Sequence, residues 1–377
     1  MLIATGIFPP DIGGPASSVP KIASALIKQG VHTDVLTFSN NKYKNEYPYR
    51  VVRVIRSSIP FWHTIKFFFF IIALGKNCDV IFAQCPLAVG LPAIIANFLL
   101  RKKLILKFVG DEAWEIAVRQ KLYIDTLDSF VNAQHTSLKI LFLRFLQKSI
   151  LLRFPKIIVP SFYLKSIIAT YIGQKNVDKV KVINNSFDVI DFKIVDAVKE
   201  KRRLGIQGKA FLTVARLVPW KNVDKLIRAC AHLDSSIVLF VAGDGPEEKN
   251  YRMLAKKLNI AERIIFLGKI PKNKLYEIYQ IVDCFALVST YEGQSHTLLE
   301  AMYMGLPVVV SHFGGNPETI ANYEKNEIIN NPNDITELVK KLNNILRIGK
   351  NPIRDTSIRN LFSYEKMLSQ TLSLILE

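Results

Sequence analysis

Short apolar runs rich in Val, Ile, Leu and Phe alternate with longer stretches of helical periodicity from one end of the chain to the other. This pattern constrains the fold more than any other feature, because strands that alternate with helices build a mainly parallel sheet covered on both faces. In the first half, strands are predicted at residues 2–5, 33–38, 51–55, 80–83, 104–109, 157–159 and 180–183, with helices at 17–29, 61–75, 88–100 and 138–154. Residues 115–136 show no clear period and read as an irregular segment. The alternation restarts at 211–215, 237–242, 264–267, 284–288 and 307–310, and an amphipathic helix at 364–376 closes the chain. A length of 377 residues exceeds one ordinary core, so two doubly wound domains are expected, 1–190 and 191–360, followed by a terminal segment at 361–377. A polar, charged stretch near 187–205 reads as their linker.

Composition narrows the class. With 49% hydrophobic and 22% charged residues the chain is that of a folded protein with large cores, and its formal charge of +18 favours acidic partners. The start Met1-Leu2-Ile3-Ala4 reads as a strand and lacks the basic region of a signal peptide. Residues 67–74 are intensely apolar but far short of the ~20 a spanning helix needs, so they read as a buried helix. Residues 138–154 form a basic stretch with a wide apolar face, either a core helix edged with Lys and Arg or an attachment to anionic lipid headgroups, the first being the commoner situation. Four cysteines without a C-x-x-C pair read as reduced, buried thiols, and six histidines show no metal-ligand spacing, so no metal is expected.

The stretch 289–302 concentrates the chemistry. The run 284–288 reads as a buried strand and Leu298, Leu299 and Met302 as one face of a helix stopped by Gly305 and Pro307, so Glu292 and Glu300 bracket a strand-to-helix turn. In an open α/β sheet that turn lies where ligands bind, and Gly293, Gln294 and Ser295 there would offer backbone N–H groups to an anion. Carboxylates beside an anion site make sense if they accept hydrogen bonds from neutral hydroxyls while the amides hold phosphate, which describes a nucleotide-sugar. Arg216 and Lys221, flanking another strand-to-helix turn, are placed to neutralise a diphosphate. Gly13 and Gly14 sit in the equivalent turn after the first strand, where a phosphate or substrate contact is expected, and the G-x-G-x-x-G dinucleotide pattern is absent. Further strand-end turns carry Gly243 and Lys269-Ile270. Gly110-Asp111-Glu112-Ala113-Trp114-Glu115 reads either as a polar acceptor pocket with an aromatic face or as a turn in which Trp114 anchors a local core.

Glu292 and Glu300 with seven residues between them, then Ala301-Met302 and Gly305-Leu306-Pro307-Val308-Val309-Val310, resemble the motif of the retaining glycosyltransferases of family 4. Arg216-Leu217 followed by Lys221 resembles that family's donor-phosphate motif, and Asn185 to Asp188 its Asn-Gly-x-Asp segment with Ser186 in place of the glycine. The resemblance covers nearly the whole chain and implies the GT-B fold: two Rossmann-like domains facing across a cleft that closes, with the C-terminal helix crossing back to the first domain. It implies that a nucleoside-diphosphate sugar binds the second domain, with Arg216 and Lys221 on the diphosphate, Glu300 on ribose, Glu292 on the donor sugar, and Gly243, Lys269 and Ile270 near the nucleotide. It further implies front-face transfer with retention, no metal and no separate cofactor. Many relatives carry a histidine where Phe108-Val109-Gly110-Asp111 stands here, so the resemblance implies either that Asp111 supplies a polar contact on the acceptor side in its stead or that the contact is absent. By analogy at the level of the fold, the expected acceptor class is a glycan or lipid-linked glycan in envelope polysaccharide synthesis, with a cytoplasmic location, either free or peripheral on the inner face of the membrane. Two rivals are a glycoside hydrolase or phosphorylase acting through Glu292 and Glu300, and a basic nucleic-acid binder; no recognition helix, zinc finger or RNP motif supports the second, so nucleic acid is not an expected partner.

Overall fold

The computed structural model describes all residues except 12, 42, 44, 45, 58, 60, 61, 135, 136, 188–191 and 349–354, so Asp188 lies outside the described residues. The chain divides into two compact units, Met1–Asn184 with Glu365–Glu377, and Asn185–Tyr364. The first holds a seven-stranded sheet: β1 (Leu2–Thr5), β2 (Asp34–Ser39), β3 (Arg50–Ile55), β4 (Val80–Ala83), β5 (Lys103–Lys107), β6 (Lys156–Val159) and β7 (Val180–Val182), in the order β3-β2-β1-β4-β5-β6-β7. Every pairing in it is parallel. The second holds β8 (Ala210–Val214), β9 (Val238–Ala242), β10 (Ile264–Gly268), β11 (Cys284–Leu287), β12 (Val308–Ser311) and β13 (Asn326–Ile329), also all parallel, in the order β10-β9-β8-β11-β12-β13. Both are doubly wound, Rossmann-like α/β domains. In each, the strand order reverses once, at β1/β4 and at β8/β11, and such a reversal opens a crevice at the carboxyl ends of the two flanking strands. The terminal helix Tyr364–Leu376 packs in the first unit, where Lys103 Nζ on β5 donates to the carbonyl of Ile375 at 3.1 Å.

Several expectations change. The first helix begins at Gly14 rather than near residue 17, because Pro15 is tolerated in a first turn. The supposedly irregular 115–136 contains the tail of the helix Glu112–Arg119 and the helix Leu127–Asn132. Both are too short to show a period and are defined by their caps, Asp111 and Thr126. Within the expected linker, Ala197–Arg203 is a helix capped by Asp196, and Phe187 and Ile206 belong to the second unit's core. β13 was not foreseen, since Asn326-Glu327 interrupt its apolar character. The helix Trp62–Gly75 buries Phe67, Ile71 and Leu74 but leaves Phe69 and Phe70 exposed, so residues 67–74 are half-buried rather than core.

One feature of the first sheet escaped the sequence reading. Register places Arg53 beside Thr37 and Thr37 beside Thr5, while the pairs Ala4–Ala83 and Ala83–Leu106 set Gln84 between Thr5 and Lys107. A polar row therefore crosses five strands at their carboxyl ends, on positions that a doubly covered parallel sheet usually gives to apolar side chains. Gln84 and Lys107 are buried, and neither side chain has a hydrogen-bond partner among the described residues. Burial pulls the Lys107 ammonium down to about 8. Between that value and the 10.5 of a free lysine, the folded chain has released a proton that the unfolded chain still holds. The penalty is thus complete below about pH 8 and vanishes above 10.5. Lys107→Met should stabilise the first unit by about 3 kcal/mol at pH 7. Denaturant unfolding across pH checks this: the gap between variant and parent should close as pH rises towards 10.5, and a gap independent of pH would contradict it.

Candidate functional site

In the second unit the site grows from the loops that follow β8 and β11. After β8, Ala215 N donates to Ala242 O and Leu217 N to Asp244 O, so this loop runs against the loop after β9. Gly243 makes that approach possible: at φ 120° it occupies a conformation that side chains rarely adopt, and a Cβ there would lie 2.0 Å from Ala215 O. With Leu217 and Val218 buried, Arg216 is held outward, exposed and without a side-chain partner among the described residues.

Two bonds stitch the β8 loop to the β11 loop. Asn222 Nδ2 donates to Val288 O at 2.8 Å, and Thr290 N donates to Trp220 O at 2.9 Å. Lys221, between them, brings Nζ to 2.5 Å from Glu292 Oε1, which also accepts from Ser289 Oγ at 3.1 Å. Both side chains are mostly buried, and Glu292 Oε2 has no hydrogen-bond partner among the described residues. The loop after β12 fixes Glu292 from the other side: Gly315 N donates to Glu292 O at 2.9 Å, and a Cβ on Gly314 would sit 2.4 Å from that same oxygen.

Beyond Glu292, Ser295 caps the helix His296–Tyr303 by accepting from Leu298 N. The helix ends where Leu306 N donates to Ala301 O, with Gly305 at φ 70°, the stop that Gly305 and Pro307 suggested. The backbone N–H groups of Gly293, Gln294 and Ser295 have no hydrogen-bond partner among the described residues. Gln294 is anchored instead through its other atoms, Oε1 accepting from Asn185 N at 2.6 Å and its carbonyl from Asn185 Nδ2 at 3.0 Å. Glu300, one turn on and buried, is ion-paired with Lys272 at 2.8 Å, and its second oxygen accepts from the Tyr279 hydroxyl at 3.4 Å. Burial, reinforced by Glu300, pushes the Tyr279 hydroxyl well above its usual range and keeps it a donor. Lys272 and Tyr279 were not singled out from sequence; the one available signal was a lysine opening the helix Lys272–Ile281 straight after Gly268-Lys269-Ile270-Pro271. In that turn Lys269 is exposed, and Ile270 packs half-buried on the core.

Arg216, Lys221, Gly243, Lys269, Ile270, Glu292, Gly293, Gln294 and Ser295 thus all follow the carboxyl ends of β8–β11, and Glu300 lies on the helix that leaves β11. Gly13, Gly14 and Asp111 belong to the first unit. Gly13 and Gly14 do follow β1 at that sheet's reversal, and a Cβ on Gly13 would lie 2.6 Å from Ile7 Cδ1. Asp111 is fully buried and caps a helix, Oδ1 accepting from Trp114 N at 2.8 Å, while burial raises its carboxyl above the ordinary range. Glu112 accepts from Leu87 N and Ala88 N, and Trp114 is buried with its indole N–H on Asp125 O. Of the two readings of 110–115, Trp114 therefore takes the second, a local core anchor with no open ring face, and Asp111 is a buried helix cap.

Comparison with known proteins agrees with this layout. The family model described as Glycosyltransferase Family 4 matches residues 12–190, and that described as Glycosyl transferases group 1 matches residues 196–358. An uncharacterized glycosyltransferase of Methanocaldococcus jannaschii is 35% identical over 151 residues, 38% of this chain and 39% of that protein. The alpha-monoglucosyldiacylglycerol synthase of Streptococcus pneumoniae is 24% identical over 333 residues, 83% of this chain and 70% of that protein. Among solved structures, Anabaena HepE in complex with UDP-glucose matches with a TM-score of 0.78 at 20% identity, covering 99% of this chain and 100% of that one, a likeness of fold. With one family model on each parallel sheet and the two together taking in nearly all of the sequence, the chain belongs to the family 4 glycosyltransferases and is a hexosyl-transferring enzyme.

Proposed function

We propose that the enzyme moves a sugar, with retention of configuration, from a nucleoside-diphosphate donor held by the second unit to a glycan or lipid-linked acceptor in envelope polysaccharide synthesis. The observation that carries the donor assignment is that Arg216, after β8, and the N–H groups of Gly293, Gln294 and Ser295, after the neighbouring β11, all lack hydrogen-bond partners among the described residues. Arg216 would take the diphosphate as a fork, Lys221 as a point charge exchanged from Glu292, and the N–H groups of Gly293, Gln294 and Ser295 the remaining oxygens. Glu292 Oε2 would accept from a donor-sugar hydroxyl. Glu300, oriented by Lys272 and Tyr279, would accept from ribose. As the C1–O bond to the diphosphate breaks, the acceptor oxygen bonds to C1 on the same face and its proton passes to the departing phosphate. These cations and amides meet the negative charge that develops there, so the scheme calls on no metal and no cofactor. The lipid-linked class draws support from the streptococcal relative, named for a glucosylated diacylglycerol, and the donor class from HepE, solved with UDP-glucose.

The hydrolase alternative needs two carboxyl groups facing one glycosidic bond. Here Glu292, in the loop after β11, is tied to Lys221, and Glu300, on the helix that follows, is tied to Lys272.

Arg216→Ala and Lys221→Ala should each lower turnover ~10²–10³-fold, and normal rates in both would defeat the donor assignment. Their stabilities should diverge. Arg216 is exposed and unpaired, so its loss should leave thermal unfolding unchanged, whereas losing Lys221 strands a mostly buried Glu292 carboxylate at a cost of about 3 kcal/mol. A thermal-shift series with nucleoside diphosphates checks the donor class independently: saturating ligand should raise the melting temperature of the parent, and no shift with any nucleoside diphosphate would count against it.

A further inference from the structure

We propose that the first unit docks on an anionic lipid bilayer through the outward faces of three neighbouring helices, Trp62–Gly75, Leu91–Leu100 and Leu138–Arg153. A helix laid on a sheet buries one stripe and turns polar side chains to water. These three bury one stripe and turn a second apolar stripe outward. On Leu138–Arg153 the inner face is Ile140, Gln147, Ile150 and Leu151, while Leu138, Leu141, Phe142 and Phe145 are exposed at helical spacing on the other side. Phe98 and Leu99 of the middle helix are 71% and 73% exposed, and Trp62, Ile65 and Phe69 continue the stripe on the first. The helices are in contact in the order first with middle and middle with last. Right-handed crossovers from β3 to β4, β4 to β5 and β5 to β6 place all three on one face of the sheet. Scattered exposed apolar residues are ordinary; a stripe shared by three adjacent helices marks a binding surface.

Charge selects the occupant. None of the three helices contains an Asp or Glu. Lys66, Lys139, Lys148 and Arg153 are exposed along them, with Lys76 and Arg101 just past the ends of the first two. Lys66 Nζ stands 5.4 Å from the Trp62 ring, pairing a cation with an amphipathic aromatic as surface-lying helices do. A second copy of this chain is a poor occupant, because a two-fold interface sets the same cationic patch against itself. An anionic headgroup layer over hydrocarbon satisfies both features, since exposed cations are attracted to such a surface. No helix among the described residues is long and apolar enough to cross a membrane, so the contact lies in the interface plane. The docking surface goes beyond the donor site and does not depend on it.

Flotation of the full chain with phosphatidylcholine vesicles, with and without phosphatidylglycerol, tests the proposal. The parent should float with the anionic vesicles and be released by salt. The double variants Phe142→Ser/Phe145→Ser and Phe98→Ser/Leu99→Ser should bind at least tenfold more weakly with unchanged melting temperature, since the residues are exposed. Lys139→Glu/Lys148→Glu should lose the preference for anionic vesicles. Flotation that is absent in the parent, or equal in parent and variants, overturns the proposal. So does a parent that stays with no vesicle and sediments as a dimer which the Phe variants dissociate, the result if the face meets protein. The nucleoside-diphosphate thermal shift, read on the same variants, reports on the donor site separately: a retained shift with lost flotation supports docking, and a lost shift with retained flotation indicts the donor assignment alone.

Discussion

The candidate site of the second unit depends on close approach of backbone to backbone at the carboxyl edge of its sheet. Gly243 lets the β9 loop press on Ala215, and Gly314 lets the β12 loop press on Glu292. Between these two clamps, Asn222 and Trp220 tie the β8 and β11 loops together. Only with those four loops fixed does Lys221 meet Glu292 while Arg216 is left facing outward. The arrangement is an example of preorganisation: the charge partners are set by the fold and need no reorganisation when charge develops.

The same geometry accounts for two glutamates beside the proposed diphosphate site. Each is balanced by a lysine, Glu292 by Lys221 in the loop after β8 and Glu300 by Lys272 at the start of the helix Lys272–Ile281, so under the proposed function the carboxylates can serve as hydroxyl acceptors without repelling a diphosphate. Among the described residues, the groups left without partners in the β8 and β11 loops include the Arg216 cation and the N–H groups of Gly293, Gln294 and Ser295, which complement phosphate oxygens, and Glu292 Oε2, which complements a hydroxyl. The first sheet repeats the architecture with other contents. There the row ending in Gln84 and Lys107 leaves donors buried at the strand ends, and Asp111 is spent on capping a helix.

What was legible in the sequence followed from period and punctuation. Every strand expected from an apolar run is present, because a strand covered on both faces must be apolar throughout, and β13 was missed because Asn326-Glu327 break that run. The helix that carries Glu300 was readable from Leu298, Leu299, Met302 and Gly305. Long-range pairings were not. Nothing in local order couples Lys272 to Glu300 or Asn185 to Gln294, since those partners meet only once the sheet is assembled. Residues 67–74 misled for a different reason: apolar content normally reports burial, and here Phe69 and Phe70 face outward. On 138–154, where a core helix and a lipid attachment both stood open, Ile140, Ile150 and Leu151 are buried while Phe142 and Phe145 face outward. Trp114 went the other way, a buried anchor where an open aromatic face was an equal alternative.

The most direct test of the donor site is calorimetric titration of a nucleoside diphosphate and its monophosphate into the parent and Arg216→Ala. If the strand-end cations and amides of the second unit grip the diphosphate, the parent binds the diphosphate more tightly than the monophosphate, and the variant loses most of that preference. Equal preference in parent and variant would show that the diphosphate is held elsewhere.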